Sequence, residues 1–208
     1  MNTQLTISSV KRIAGRAVLN LSDGASLSMP RAMLKERPYR GGIPFDREAF
    51  DVFIKNRSYP FAMEKAVSLL AIRARTEKEI VDALRRNAYP EDSIARVMAY
   101  LREAGYISDA GFAEHWITAR TAKGIGARRI RMELRQKGVS SEEIDNALSE
   151  LDDEALLDGA LRAAQKISRS KDLCSPADIK KVMDGLVRRG YDYSLAKRAI
   201  QLLREEGV

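Results

Sequence analysis

The feature that most constrains the fold is an internal repeat with a period of about fifty residues, which starts near residue 61. Three successive stretches carry the same types of residue at matching positions. The matching sets are Ile80, Leu84, Ala88, Tyr89, Ile94, Met98 and Leu101; Ile130, Leu134, Gly138, Val139, Ile144, Leu148 and Leu151; and Val182, Leu186, Gly190, Tyr191, Ala196, Ile200 and Leu203. Helical units this small have little core of their own, so we expect them to stack into an elongated array. The large surface of such an array suits binding better than catalysis.

Local signals predict three helices in each repeat. Capping residues mark the helix starts, and glycines suited to a left-handed conformation mark two of the ends. These signals are Thr76 with Glu79, Ser140 with Glu143, Ser175 before Pro176, Gly138 and Gly190. The predicted helices span residues 61–74, 76–87, 90–104, 109–123, 126–137, 140–151, 152–169, 176–189 and 192–206.

The first sixty residues follow a different pattern, with short apolar alternations in place of helical periodicity. Val10–Leu21 and Ala25–Met29 flank Ser22-Asp23-Gly24, and an Asp-Gly pair between such runs favours a tight hairpin turn. A breaker-rich linker follows, after which Asp46 can cap a short helix that ends near Lys55.

The predicted fold class is therefore mainly α, with about nine helices in tandem three-helix repeats and a small N-terminal extension that contains a β-hairpin. We place the extension at residues 1–60, the first repeat at 61–107, the second at 108–151 and the third at 152–208.

Composition excludes several classes of protein. A chain of 208 residues that is 45% hydrophobic and 31% charged can bury a core and should fold. Cys174 is the single cysteine and His115 the single histidine, so neither an internal disulfide nor a Cys/His metal cage can form. No apolar run is long enough to span a membrane, and the start is too polar for a secretory signal. We expect a cytoplasmic protein that does not contact membranes.

The net charge of +7 favours an acidic or polyanionic partner, and the basic residues are concentrated in one segment. Residues 120–137 carry seven bases and one acid, whereas residues 138–160 carry eight acids and no base. On the predicted helix in the basic segment, Arg128, Arg131 and Arg135 share one face, while an apolar stripe lies on another. That basic face is either simply solvated or a contact surface for phosphate or acidic side chains.

No arrangement of residues predicts a catalytic or cofactor site. Gly124-Ile125-Gly126 lacks the preceding strand and third glycine of a dinucleotide site, and no P-loop pattern is present. The acidic clusters lie at predicted helix starts, where the helix dipole favours them. Phe112 and Trp116 share a helix face, and core packing is the preferred interpretation over base stacking. We therefore expect no cofactor, no metal and no enzyme activity.

Three motifs resemble the RecX family of recombination regulators. They are the run from Arg73 to Ile80, the run Gly105-Tyr106-Ile107-Ser108-Asp109 that leads to Phe112, Ala113 and Trp116, and the pattern from Arg120 through Gly124 and Gly126 to Val139. The resemblance covers roughly Ala62–Val208 and agrees with the repeat count. Ser108 and Ala127 depart from the family pattern, which often has an acid and a proline there; both departures concern helix starts.

The resemblance implies a regulator without enzyme activity, which binds the RecA recombinase filament on single-stranded DNA. It would inhibit ATP hydrolysis, filament growth and strand exchange, and so modulate homologous recombination, DNA repair and the SOS response. Our hypothesis is that a basic surface makes the contact, formed by Arg73, Arg75, Arg120, Arg128, Arg131 and Arg135. The competing hypothesis is a helical-repeat protein that binds DNA directly through its basic faces.

Overall fold

The computed structural model describes residues 5–205, and the chain divides into two compact units, residues 1–108 and 109–208. Unit 1 contains strands β1 (Ile7–Ile13), β2 (Arg16–Leu21) and β3 (Ser26–Pro30), a 3₁₀ turn (Arg31–Lys35), and helices α1 (Arg47–Leu70), α2 (Glu77–Arg86) and α3 (Glu91–Glu103). Unit 2 contains α4 (Asp109–Thr121), α5 (Ala127–Lys137), α6 (Ser141–Ser149), α7 (Asp153–Ser168), α8 (Pro176–Arg188) and α9 (Tyr193–Glu205). The prediction of a mainly α protein with a small N-terminal β element is confirmed.

The β element is a three-stranded antiparallel sheet in the order β1-β2-β3. The predicted hairpin at Asp23-Gly24 is present between β2 and β3, with the N–H of Leu21 donating to the carbonyl of Ala25 at 2.8 Å. The run Val10–Leu21 that precedes this turn contains parts of two strands, β1 and β2. A second turn divides it, because Ala14 adopts a positive φ of 43° next to Gly15 and reverses the chain.

One face of this sheet forms the core of the N-terminal part of unit 1. Alternate residues of β2 are buried, as expected for a strand with one face towards the core. They contact the 3₁₀ turn and the start of α1. The cluster consists of Ile7, Ala17, Leu19, Leu21, Met29, Met33, Tyr39, Phe45 and Phe50.

Helix α1 is one continuous helix, whereas the sequence predicted a short helix to about residue 55 and a separate helix from residue 61. Pro60 lies inside it, although an internal proline costs about 3 kcal/mol relative to alanine. Packing on both sides offsets that cost. Phe50 contributes to the sheet core, Ala62 and Ala66 are fully buried against α2 and α3, and Phe61 contacts both clusters. Tertiary contacts therefore keep the helix continuous through Pro60.

The predicted helix starts are confirmed by their hydrogen bonds. The Thr76 hydroxyl accepts from the N–H of Glu79, and Ser140 and Glu143 form a complete capping box. Pro176 occupies the first turn of α8, although Ser175 makes no side-chain capping bond. These ends depend on neighbouring residues in the sequence, which explains why they could be predicted.

Each set of three helices encloses its own apolar cluster, and the repeating positions supply it. In α4–α6 the cluster is Phe112, Ala113, Ile117, Ile130, Leu134, Val139 and Ile144. In α7–α9 it includes Ala160, Ala163, Ala164, Val182, Leu186, Tyr191, Ala196, Ala199, Ile200 and Leu203. The residue limits that we placed on the three repeats stay predictions.

The repeats share a left-handed residue after the second helix of each set. This residue is Ala88 in the first repeat, with φ of 62°, Gly138 in the second, with φ of 92°, and Gly190 in the third, with φ of 94°. An L-residue with a β-carbon is strained in this conformation by about 1–2 kcal/mol, whereas glycine is not. The first repeat therefore carries backbone strain that the other two avoid.

Replacement of Ala88 by glycine should stabilise the protein by about 0.5–1 kcal/mol, since part of the relieved strain is offset by the greater entropy of glycine in the unfolded chain. Urea unfolding followed by far-UV circular dichroism measures the change. Ala99→Gly is the matched control, because Ala99 is exposed inside α3 and glycine there should cost about 1 kcal/mol. Destabilisation by both substitutions would contradict the strained conformation of Ala88.

Candidate binding surface

A backbone junction within unit 2 positions helix α5, which carries three of the predicted arginines. The N–H of Gly126 donates to the carbonyl of Arg189 at 2.9 Å, and the N–H of Arg128 donates to the carbonyl of Gly190 at 3.0 Å. The positive end of the α5 dipole thus meets carbonyl groups at the end of α8.

This junction requires glycine on both sides. A β-carbon on Gly126 would lie 2.4 Å from the carbonyl carbon of Gly190, and one on Gly190 would lie 2.4 Å from the backbone nitrogen of Arg129. Both distances are shorter than any van der Waals contact that a β-carbon makes with a non-bonded atom. The second and third repeats are therefore in direct backbone contact, and α5 cannot shift along α8 without breaking these hydrogen bonds.

The two faces of α5 divide as the sequence predicted. Ile130 and Leu134 are fully buried, whereas Arg128 and Arg135 are exposed. Neither of these two arginines makes an ion pair with any residue between 5 and 205. Their positions differ by seven residues, which is about 10.5 Å along the helix axis. They are the two arginines of the predicted set that remain open to a partner.

Arg131 lies between them in sequence but is only partly exposed. Its guanidinium forms an ion pair with Asp145 of α6. Pairing within α5 could not reveal this contact, because the carboxylate comes from the next helix. Arg131 therefore ties α5 to α6 and has less charge to offer a partner.

Arg120 belongs to a hydrogen-bond network that joins α4 to α5 around Glu133. The Nε of Arg120 donates to Glu133 Oε2 at 2.7 Å, and the indole N–H of Trp116 donates to the same oxygen at 3.1 Å. Arg129 approaches the other oxygen of Glu133 at 3.5 Å. The Arg120 side chain is 30% exposed, and the Glu133 side chain is 14% exposed. These residues hold the basic helix in place.

The aromatic pair next to this network packs as the sequence predicted. Phe112 and Trp116 have ring centroids 5.6 Å apart with an interplanar angle of 18°, and Phe112 is buried. The ammonium of Lys137 lies 4.5 Å from the Trp116 ring centroid, and Arg120 lies 4.6 Å from it. Cations already occupy positions over the Trp116 ring, so Trp116 acts as a packing residue.

Arg73 and Arg75 belong to unit 1, in the connection between α1 and α2. Arg73 forms an ion pair with Glu79 at 2.9 Å and also donates to the carbonyl of Ala74. Arg75 is half-buried and donates to the carbonyl of Leu69 at 3.1 Å. Arg73 therefore contacts the first turn of α2 and Arg75 the last turn of α1, whereas the other four predicted arginines lie in unit 2.

Asp192, directly before α9, lies close enough to Arg128 for the two charges to interact. The pKa of Asp192 is lowered, chiefly by hydrogen bonds from the N–H of Leu195 and the hydroxyl of Ser194, and to a smaller extent by Arg128. This side chain caps α9, so Arg128 and the α9 start together form a mixed-charge edge of unit 2.

One basic feature of unit 2 was missed by the sequence analysis. Arg162 and Lys166 of α7 and its C-cap Arg169 are spaced by four and three residues, and they line a cleft with Lys123 and Arg189. The signal in the sequence was the absence of any acid from residue 159 to residue 171. A count over the long segment 161–208 concealed it, because the acidic residues that follow residue 171 offset these bases.

No metal site or membrane span is found in the described part of the chain. Residues 5–205 contain no group of three or more His, Cys, Asp or Glu side chains that could hold a metal ion. Over the same residues, no helix is both long enough and apolar enough to cross a bilayer. Cys174 is exposed and free.

Comparison with known proteins identifies the family of this chain. The model of the first three-helix domain of RecX matches residues 62–101, and the model of the second three-helix domain matches residues 108–148. The regulatory protein RecX of Mycolicibacterium smegmatis is 39% identical over 141 residues, which cover 65% of this chain and 75% of that protein. The chain belongs to the RecX family. Its relatives in this family are named regulatory proteins, and the resemblance inferred from the three motifs is confirmed.

Further RecX relatives support the same family and the same fold. The regulatory protein RecX of Streptomyces lividans is 34% identical over 142 residues, covering 67% of this chain and 76% of that protein. A crystal structure of regulatory protein RecX has a TM-score of 0.65 and covers 95% of this chain and 99% of its own, at 23% identity. The RecX of Lactobacillus salivarius also gives a TM-score of 0.65, covering 71% of this chain and 97% of its own, at 24% identity. These structures support the fold.

The residues that match the two RecX domain models correspond to particular helices of this structure. The first covers the second part of α1 with α2 and most of α3, and the second covers α4, α5 and α6. Helices α7–α9 lie beyond both matched ranges, although they repeat the same buried positions.

Proposed function

We propose that this RecX family member regulates homologous recombination by binding the RecA recombinase filament on single-stranded DNA. Binding slows ATP hydrolysis, filament growth and strand exchange, and so acts on DNA repair and the SOS response. The observation that carries the proposal is membership of the RecX family at 39% identity to a regulatory protein. The protein acts in this proposal as a binding protein without catalysis of its own.

The exposed side of α5 is the contact that best fits this role. Arg128 and Arg135 have no ion-pair partner between residues 5 and 205, and a guanidinium can bind a carboxylate with two parallel hydrogen bonds. Their helix is fixed by the Gly126–Gly190 junction, so less conformational entropy is lost when a partner binds. Arg120 and Arg131 support this surface through their ion pairs with Glu133 and Asp145, whereas Arg73 and Arg75 belong to unit 1.

Acidic residues at the start of α6 give this surface an orientation. Glu142 and Glu143 follow directly after the basic helix, and Glu143 is held in the capping box of Ser140. A recombinase surface with acidic and basic groups in the opposite order would dock in one direction, because the reversed order places like charges together. Electrostatic complementarity therefore sets the direction of docking as well as its rate.

Titration of the full chain into recombinase, single-stranded DNA and ATP tests the proposal. Hydrolysis of ATP should fall as the protein is added, and electron microscopy of the same samples should show fewer or shorter filaments. The protein incubated with ATP alone should release no phosphate. Unchanged hydrolysis and unchanged filaments at a molar excess of the protein would contradict the proposed function.

A further inference from the structure

A basic cleft in unit 2 lies away from the arginines of α5. It has a volume of about 260 Å³ and is bounded by the end of α4, the second half of α7 and the end of α8. The residues that line it are Ala122, Lys123, Gly124, Arg162, Ala163, Gln165, Lys166, Arg169 and Arg189. Five of these nine side chains are cationic, and none is acidic.

Among the residues that the structure describes, the cations of the cleft have no carboxylate partner. None of the five makes an ion pair with a residue in the described range from 5 to 205. Arg189 is half-buried and donates to the carbonyl of Gly124 at 3.4 Å, which directs its guanidinium towards the cleft. Several like charges without counter-charges repel one another, so an anion bound among them removes an unfavourable interaction.

Cations at helix ends commonly stabilise terminal carbonyl groups, and this accounts for part of the cluster. Lys123 follows α4, Arg169 caps α7 and Arg189 caps α8. Arg162 lies in the third turn of α7, too far from the end of the helix for that role. The cleft therefore collects more positive charge than the helix ends require.

The spacing of the cations matches a chain of phosphates better than a single anion. Arg162, Lys166 and Arg169 extend over about 10.5 Å of helix axis, at intervals of about 6 Å and 4.5 Å, so they can reach successive charges along a linear polyanion. The floor between them is formed by small residues, Ala163 and Gly124, so that a backbone can approach closely. Every cation along this line is free to contact a different phosphate.

We propose that this cleft binds the phosphodiester backbone of a single-stranded nucleic acid, independently of base sequence. No aromatic side chain lines the cleft, so bases have no stacking platform there, and the contacts are to phosphates. The cations of α7 and its C-terminal cap form a single line, which follows one phosphate backbone. The site lies on helices of the third repeat and the end of α4, and it does not depend on the proposed recombinase contact.

Binding of a fluorescein-labelled oligothymidine of about 20 nucleotides to the full chain, measured by fluorescence anisotropy without recombinase, tests the proposal. Each phosphate contact contributes about −0.7 to the slope of the logarithm of the association constant against the logarithm of the salt concentration. Five contacts therefore give a slope of about −3.5. The variant Arg162→Gln/Lys166→Gln/Arg169→Gln should bind at least about tenfold more weakly, with a slope of about −1.4. Oligoadenosine should bind the wild-type protein within about twofold of oligothymidine, because no base contact is made.

The matched control removes the same charge from a different surface of unit 2. Lys180→Gln/Lys197→Gln/Arg198→Gln changes three exposed cations on α8 and α9, and should leave both affinity and slope close to wild type. Circular dichroism establishes that both triple variants remain folded.

Three results would overturn the proposal. The cleft variant could keep the wild-type affinity and slope, or the control could lose as much as the cleft variant. Alternatively, the cleft variant could keep its oligonucleotide affinity and lose binding to recombinase without DNA, which would assign the cleft to an acidic protein surface. A wild-type protein that binds oligothymidine through the cleft but fails to inhibit recombinase would contradict the proposed function alone.

Discussion

Substitution of Gly190 by alanine should destabilise unit 2 by about 3 kcal/mol or more. The new β-carbon would lie 2.4 Å from the backbone nitrogen of Arg129 and 2.5 Å from its β-carbon, so α5 must move away from α8. That movement breaks the hydrogen bonds from Gly126 and Arg128 to the α8 end. The left-handed conformation adds about 1–2 kcal/mol of strain for a residue with a side chain.

Gly105→Ala is the matched control for this prediction. Gly105 also follows a helix with a positive φ, of 69°, but a β-carbon there meets no atom within 4 Å. It should cost only the conformational strain, about 1–2 kcal/mol.

Trp116 is the single tryptophan and lies in unit 2, so its fluorescence during urea unfolding reports on unit 2, while circular dichroism follows all the helices. Equal losses for the two variants would show that the junction is not tightly packed.

Reversal of two charges on α5 should have the largest effect on function. In the variant Arg128→Glu/Arg135→Glu, two proposed contacts with acidic groups become repulsive, and like charges at an interface cost several kcal/mol. We expect the concentration needed for half-inhibition of recombinase ATP hydrolysis to rise about 100-fold, equivalent to about 2.7 kcal/mol. Both residues are exposed, so the fold should be retained.

A control with the same change in net charge separates a specific surface from general electrostatic attraction. Lys180→Glu/Arg198→Glu reverses two exposed cations on α8 and α9, and should change half-inhibition by less than about threefold. If both double variants lose inhibition equally, the effect comes from net charge. If neither loses inhibition while both remain folded, Arg128 and Arg135 do not contact the recombinase.

The helical repeats could be predicted because their signals are local or periodic. The spacing of Ile130 and Leu134 placed the buried face of α5, and Ser140 with Glu143 placed the start of α6. The continuity of α1 could not be predicted in this way. Proline at position 60 disfavours a helix locally, and only the burial of residues on both sides of it, such as Phe50 and Ala66, offsets the cost.

The candidate surface was predicted only in part, because charge pairing depends on contacts between helices. Helical spacing correctly placed Arg128 and Arg135 on an exposed face. The same reasoning could not show that Arg131 pairs with Asp145, or that Arg120 donates to Glu133, since each partner lies on another helix. The basic cleft of α7 needed the structure for the same reason, as it joins residues from three helices.

Site-specific photo-cross-linking from position 135 tests whether the exposed side of α5 contacts the recombinase filament. A benzophenone amino acid in place of Arg135, irradiated with recombinase, single-stranded DNA and ATP, should give a covalent adduct between the two proteins. The same group in place of Lys180 on α8 should give little adduct. Omission of DNA and ATP should greatly reduce the adduct from position 135, because the assembled filament is the proposed partner. No adduct from position 135, or equal adducts from both positions, would contradict a specific contact between α5 and the filament.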